Sequence, residues 1–341
     1  VEGFSPVAVL DTRQAAALHS IFPGMTNESS IWLHRYAAFA SVCTFLLVIA
    51  GGLVTSTDSG LSVPDWPLSY GMLMPPMVGG IFYEHGHRMI ASFVGLLTIG
   101  LAVWLWRAET RRWLRRLGWG ALAAVVAQGV LGGLTVLYLL PAPVSILHAC
   151  LAQSFFTLML CLAIFTSPSW KRNCEPVEDA GGISHRAFAL MLAAAVFAQL
   201  VLGASVRHMD AGLAIPDFPL AFGRVFPPLE SAPVALHFAH RLWALVVTVL
   251  TVLQALRMRS LSSRAGILWK LSLAAVFLVA VQAALGAFSV WTALSAPVAT
   301  AHVAGGALLL ALSVVTAFWC FRLTVPRRER AAASRLQEAA A

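Results

Sequence analysis

Eight apolar runs, each long enough to cross a bilayer as a helix of about 20 residues, dominate this chain of 341 residues. They fall near 34–56, 84–106, 117–139, 144–166, 186–208, 235–257, 267–289 and 297–321. The composition is 59% hydrophobic and only 11% charged, with a mean hydropathy of +0.80. That is too little charge to cover a soluble surface. In lipid every backbone polar group has to be satisfied within the protein, so such runs become helices. The expected fold is an all-α integral membrane protein with eight transmembrane helices.

The formal charge of +8 invites a nucleic-acid partner, but the distribution of the basic residues rejects one. With a cytoplasmic N-terminus, 19 of the 23 Lys and Arg fall on the cytoplasmic side, and only Arg88, Arg207, Arg224 and Arg241 fall outside. Orientation follows that bias, so both termini are expected in the cytoplasm and the lipid bilayer is the first partner. Residues 1–30 hold no basic stretch leading into an apolar core, so no cleaved signal peptide is expected. The Asn27-Glu28-Ser29 sequon falls on the cytoplasmic side and is discounted. Of the five cysteines, Cys43, Cys150, Cys161 and Cys320 lie in spans and Cys174 in an inner connection. No disulfide framework is suggested.

The chain also repeats itself. Asp58-Ser-Gly-Leu-Ser-Val-Pro-Asp65-Trp66-Pro-Leu-Ser-Tyr-Gly71 returns as Asp210-Ala-Gly-Leu-Ala-Ile-Pro-Asp217-Phe218-Pro-Leu-Ala-Phe-Gly223. His87-Arg88 returns as His240-Arg241, and His148 as His302. Four spans per copy put both copies the same way up, related by an axis along the membrane normal. Two pseudo-symmetric four-helix bundles are therefore expected at 31–166 and 183–322. They are flanked by a cytoplasmic segment at 1–30, a cytoplasmic linker at 167–182 and a cytoplasmic tail at 323–341. Gln128-x-x-x-Gly132, Gln199-x-x-x-Gly203 and Gln282-x-x-x-Gly286 recur on odd-numbered spans. Either they serve close helix packing and interhelical hydrogen bonds, or the glycines clear space for a flat ligand.

Each bundle offers two histidines, near the outer ends of its even-numbered spans: His87 and His148, then His240 and His302. Two facing imidazoles can clamp the iron of a haem, a metal that suits nitrogen ligands. A single interfacial histidine is ordinarily a hydrogen-bonded anchor; four paired by an internal repeat argue for ligation. Zinc is the weaker alternative, because two ligands per bundle leave its shell short. The repeat aligns His85 with Phe238, which removes His85 from the ligand set. His34 and His185 read as anchors or caps, and His208 as an outer-face contact. Glu84 lies one turn before His87 on the same face, where the second copy has His237. The two sites are thus expected to differ in job, unless Glu84 is simply paired with Arg88. Arg88 and Arg241 are candidate partners for haem propionates, and helix-end snorkelling explains them nearly as well. The four aspartates of the repeated loops read as turn and capping residues, with Trp66 and Phe218 at the membrane interface.

Taken together, Glu84-x-x-His87-Arg88, the loop Gly60-Leu61-Ser62-Val63-Pro64-Asp65-Trp66-Pro67-Leu68, His148, His240-Arg241 and His302 resemble the haem A synthase family. The resemblance covers nearly all of the chain after about residue 30. It implies oxidation of the C8 methyl of haem O to the formyl group of haem A, for terminal oxidases, in the cell membrane of a bacterium. It implies His87 and His148 as axial ligands of substrate or product haem, His240 and His302 as ligands of a haem b cofactor, and Glu84 as the catalytic carboxylate. Expected partners are haem O, an unidentified electron donor, and haem O synthase or oxidase assembly factors. Many bacterial members carry a cysteine pair in the first outer loop. Here that stretch offers Val63, Ser69 and Tyr70, so a loop disulfide has no part. The rival readings are a di-haem b-type electron-transfer cytochrome without chemistry of its own and a transporter built from parallel repeats.

Overall fold

The computed structural model describes residues 25–326 apart from 173, 175, 180–181 and 262–264. The expected segments 1–30 and 323–341 therefore lie largely outside the described residues. Eight long helices follow one another: α1 (Met25–Ser56), α2 (Gly80–Ala108), α3 (Arg112–Leu137), α4 (Ala142–Thr166), α5 (His185–His208), α6 (Ala232–Arg259), α7 (Gly266–Trp291) and α8 (Ala296–Leu323). All eight are long and apolar enough to span a membrane. Several overrun the apolar runs that specify them. α3 begins at Arg112 rather than 117, and α6 extends from Ala232 to Arg259 rather than from 235 to 257. Backbone hydrogen bonding continues into the interface, where arginines keep their heads in water.

Helices joined by short connections pack antiparallel. In the first half α1 packs on α2 and α4, and α3 packs on α2 and α4. The second half repeats that square: α5 on α6 and α8, α7 on α6 and α8. The halves meet where α8 lies against α1 and α4, and where α4 lies against α5. The two-bundle expectation is met. Most hydroxyls within the helices, Thr44, Thr98, Thr157, Thr251 and Ser313 among them, donate to the carbonyl four residues back, which satisfies them inside the apolar layer.

The repeat extends to the backbone itself. Among the described residues, the non-glycine positions with positive φ form four related pairs: Asp58 and Asp210, Tyr70 and Phe222, Leu139 and Ala293, Leu140 and Leu294. Trp66-Pro67 and Phe218-Pro219 are both cis. Leu140 and Leu294, in the tight turns after α3 and α7, seat on Gly60 and Gly212 of the long loops; a methyl at those glycines would lie 3.4 and 3.0 Å from the leucine.

The opposite, arginine-rich end is more ordered than a linker composition suggests. Pro168–Lys171 forms one helical turn, and β1 (Val177–Asp179) pairs in parallel with β2 (Thr324–Pro326), which follows α8 directly. Trp113, Phe165, Trp170, Phe318 and Trp319 stack with ring centres 4.8 to 5.1 Å apart. Arginines close the helix ends: Arg111 donates to Phe165 O at 2.9 Å, Arg322 to Arg172 O at 2.6 Å, and Arg186 to the carbonyls of Phe321 and Thr324. Cations at helix C-termini complement free carbonyls and the helix dipole. Buried Asp179 accepts from His185 N at 2.5 Å and lies 2.8 Å from His185 Nδ1, which fixes the start of α5. Asp179→Ala should therefore lower the unfolding free energy of the solubilised protein by about 1–2 kcal/mol. Thermal unfolding measures this, and an unchanged midpoint would contradict it.

Candidate functional site

His87, His148, His240 and His302 sit near the loop ends of α2, α4, α6 and α8. Within each square of helices these are diagonal members, so paired imidazoles reach toward each other across the bundle. Each ring lies against a glycine of an adjacent helix. A methyl on Gly51 would stand 3.0 Å from His87 Cε1, on Gly132 3.3 Å from His148, on Gly203 2.9 Å from His240 and on Gly286 3.4 Å from His302. The glycines thus make room for the imidazoles, and only through them for a ligand. The ring centres of His240 and His302 are 6.4 Å apart, with planes at 79°. An iron held about 2 Å from a nitrogen of each ring puts the centres roughly 6 Å apart. The second pair therefore fits a metal clamped between two imidazoles. In the first bundle His87 and His148 lie within electrostatic reach of each other, and the Nδ1 atoms of both are buried without a hydrogen bond. Among the described residues no cluster of three or more His, Cys, Asp or Glu could hold a metal ion.

The glutamines of the repeated motif orient the rings of the second pair. Gln199 Nε2 lies 3.2 Å from His240 Nδ1 and donates to His240 O at 3.0 Å. Gln282, its amide turned to match its neighbours, donates to His302 Nδ1 and O at 3.0 Å and accepts from Gly306 N at 3.1 Å. Partners of this kind set ring orientation in metal sites. The position equivalent to Gln199 in α1 is Leu47, so His87 has no such support from α1.

Glu84 and Arg88 hold the first long loop. Buried Glu84 accepts from Val63 N at 2.8 Å and from Arg88 Nη2 at 2.6 Å. Arg88 also donates to Asp65 O at 2.7 Å, Leu68 O at 3.0 Å and Val63 O at 3.2 Å. Arg241 copies this clamp, donating to Asp217 O, Leu220 O and Ile215 O at 2.8, 3.1 and 3.0 Å. Both guanidinium heads thus give most of their donors to loop carbonyls, so these arginines clamp the loops. His237 stands in for Glu84, its Nδ1 3.3 Å from Ile215 N and its Nε2 3.1 Å from Arg241 Nε. A neutral imidazole has one acceptor nitrogen, so it can accept only one of these two donors. The carboxylate accepts both, and its 2.6 Å contact with Arg88 is the ion pair the sequence offered as the alternative reading of Glu84; the second bundle has no carboxylate at this position.

Asp65 and Asp217 are turn residues, as expected. Asp65 accepts from Gly71 N at 2.8 Å and Tyr70 N at 2.6 Å; Asp217 accepts from Gly223 N at 2.8 Å and Phe222 N at 2.7 Å. The amides of Gly71 and Tyr70, and those of Gly223 and Phe222, hold the two carboxyls below the ordinary aspartate range, with Arg88 and Arg241 adding to the effect. His85, on α2, holds the loop through Ser69, whose hydroxyl lies 2.8 Å from its Nδ1. His34 Nδ1 bonds Ala163 O at 2.9 Å, tying α1 to α4. Trp66 lies over Gly133 of α3 and remains 43% exposed. Gly51 and Arg207 were not singled out as site residues by sequence reasoning. The 152-residue offset that aligns the two loops also aligns Gly51 with Gly203, which is the signal for the first. For the second there is none, because Arg207 aligns with Thr55.

A family model described as cytochrome oxidase assembly protein matches residues 34–79 and 78–314. The haem A synthase of Symbiobacterium thermophilum is 35% identical over an alignment covering 71% of this chain and 82% of that protein. That of Caulobacter vibrioides is 32% identical, covering 85% and 94%. That of Halalkalibacterium halodurans is 28% identical, covering 88% and 100%.

The amide contacts of Asp65 are present while its carboxyl is ionised. Because folding lowers its pKa, they contribute above the ordinary aspartate value of about 4 and are lost as pH falls through the lower folded value. Tyr70 and Gly71 amides should thus stay protected from hydrogen exchange at pH 4 and lose protection below it; Asp65→Asn should weaken protection at pH 4 and above and change little at lower pH. Gly203→Ala should push the His240 ring and destabilise its pairing by about 1–3 kcal/mol. Thermal unfolding of the solubilised protein should show this as a lower midpoint, whereas Gly129→Ala, with nothing within 4 Å, should leave the midpoint intact.

Proposed function

This chain belongs to the haem A synthase family, and on that premise we propose that it oxidises the C8 methyl of haem O to the formyl group of haem A in a bacterial cell membrane. One observation carries the assignment of the sites: a diagonal imidazole pair, His240 and His302, at the spacing of axial ligands and seated on glycines. We assign His240 and His302 to a haem b cofactor, and His87 and His148 to the substrate haem. Haem b supplies one-electron transfer when bound. Substrate oxidation runs as two hydroxylations of the methyl carbon, each consuming one dioxygen, two electrons and two protons and releasing one water. Loss of a further water from the geminal diol leaves the aldehyde.

The chain's own part is placement. His87 and His148 hold the macrocycle, and the glycines behind them set how far each ring can retreat. Glu84, one helical turn from His87, is fixed through both oxygens by Val63 N and Arg88. It serves as a placed negative charge that stabilises positive charge developing at the reacting carbon. His237 offers no such charge, which supports giving the chemistry to the first bundle and electron relay to the second. Both termini then lie in the cytoplasm and the histidine ends face outward. The electrons come from a separate donor, and haem O arrives from haem O synthase or an assembly factor.

Haem extracted from purified protein and separated by chromatography should contain haem B together with haem O or haem A. Haem B alone in both sites would overturn the reading in favour of a di-haem relay. His240→Ala and His302→Ala should each abolish the low-spin b spectrum. Glu84→Gln should keep both spectra and slow conversion by about 100-fold or more.

A further inference from the structure

The clamps that occupy Arg88 and Arg241 leave the anionic edge of the second haem without an evident partner, and a different arginine is placed to provide one. Arg207 lies four residues beyond Gly203 on α5, hence on the same face and about 6 Å nearer the loop end. Gly203 is the residue against which His240 packs. The guanidinium reaches the seam between the bundles, where Nη2 donates to Ser56 Oγ at 2.6 Å and Gly52 O at 3.3 Å. Ser56 in turn contacts Thr300 Oγ1 at 3.0 Å, two residues before His302. Among the described residues its Nε and Nη1 make no hydrogen bond and it forms no ion pair; Asp58 is within electrostatic reach but not in contact. The equivalent residue of the first bundle is Thr55, whose hydroxyl is turned back to Gly51 O at 3.3 Å.

We propose that Arg207 binds a propionate of the haem held by His240 and His302, and that this contact makes the second site a retaining one while the first, with Thr55, releases its haem as product. The inference rests on the assignment of haem to the second pair. An arginine on a carboxylate is a strong, charge-assisted contact, and the two outer bonds of Arg207 fix the head against α1. A substrate site requires the reverse, because product has to leave. A positive charge beside the haem also disfavours the oxidised, more positive iron, so it raises the reduction potential.

The test compares Arg207→Gln, Arg207→Lys and Ser56→Ala in full-length solubilised protein. It measures the midpoint potential of the bis-histidine haem and the rate of haem transfer to excess apomyoglobin. Arg207→Gln should shift the midpoint to more negative values and speed transfer about tenfold or more. Ser56→Ala breaks the seam contact but keeps the charge, so its midpoint should match wild type. Wild-type values for Arg207→Gln on both measurements would overturn the proposal. If Arg207→Gln does not assemble, Arg207→Lys decides: faster transfer at a near-native midpoint supports it, and unchanged transfer overturns it. Wild-type protein without haem at His240 and His302 would instead remove the underlying assignment, so the two failures are distinct.

Discussion

A polar group carried into a bilayer has to find its partner inside the protein, and that constraint organises this molecule. The backbone meets it by becoming helix, and the hydroxyls by bonding back to their own helices. The histidines cannot meet it alone. Each is pressed against a glycine, two are steered by glutamines, and each pair faces across a bundle. The diagonal placement follows from connectivity. Consecutive helices are neighbours, so ligands on even-numbered helices are separated by odd-numbered ones, and the pair spans the core rather than one interface.

Duplication supplies two such sites, and three substitutions make them unlike. Glu84 opposes His237, Leu47 opposes Gln199, and Thr55 opposes Arg207. The first places a negative charge only in the first bundle. The second leaves His87 without a glutamine from α1. The third puts a guanidinium on α5, reaching the seam between the bundles, where α1 has only a hydroxyl. All three lie within about a helical turn of a ligand or its supporting glycine. A common scaffold with divergent nearby charge lets two copies of one site take up different roles. The long loops are the least divergent part, since the same arginine clamp and the same aspartate turn hold both.

Much of the site was legible before any coordinates. The repeat singled out His87, His148, His240 and His302 because duplication marks them twice, and it separated His87 from His85. The Gln-x-x-x-Gly motifs were legible as a pattern but ambiguous in purpose, since spacing along one helix does not say which neighbour it faces. Arg88 and Arg241 read from sequence as propionate partners because free arginines near a haem edge are expected to bind carboxylates. The folded loops add a second role, since their carbonyls take most of the donors of both arginines. The linker at 167–182 read as a connection by composition, yet β1 finds a pairing edge in β2, more than 140 residues away.

The sequence alone determined the number of spans, their bias across the membrane, the twofold organisation and the four candidate ligands. Each depends on hydrophobic length, charge count or repetition, all properties of a one-dimensional string. The tertiary structure decided which glycine backs which histidine, where each guanidinium spends its donors, and that Arg207 reaches the seam where Ser56 meets Thr300. Those outcomes depend on which helix faces meet and on competition among nearby acceptors, and neither exists until the bundles pack.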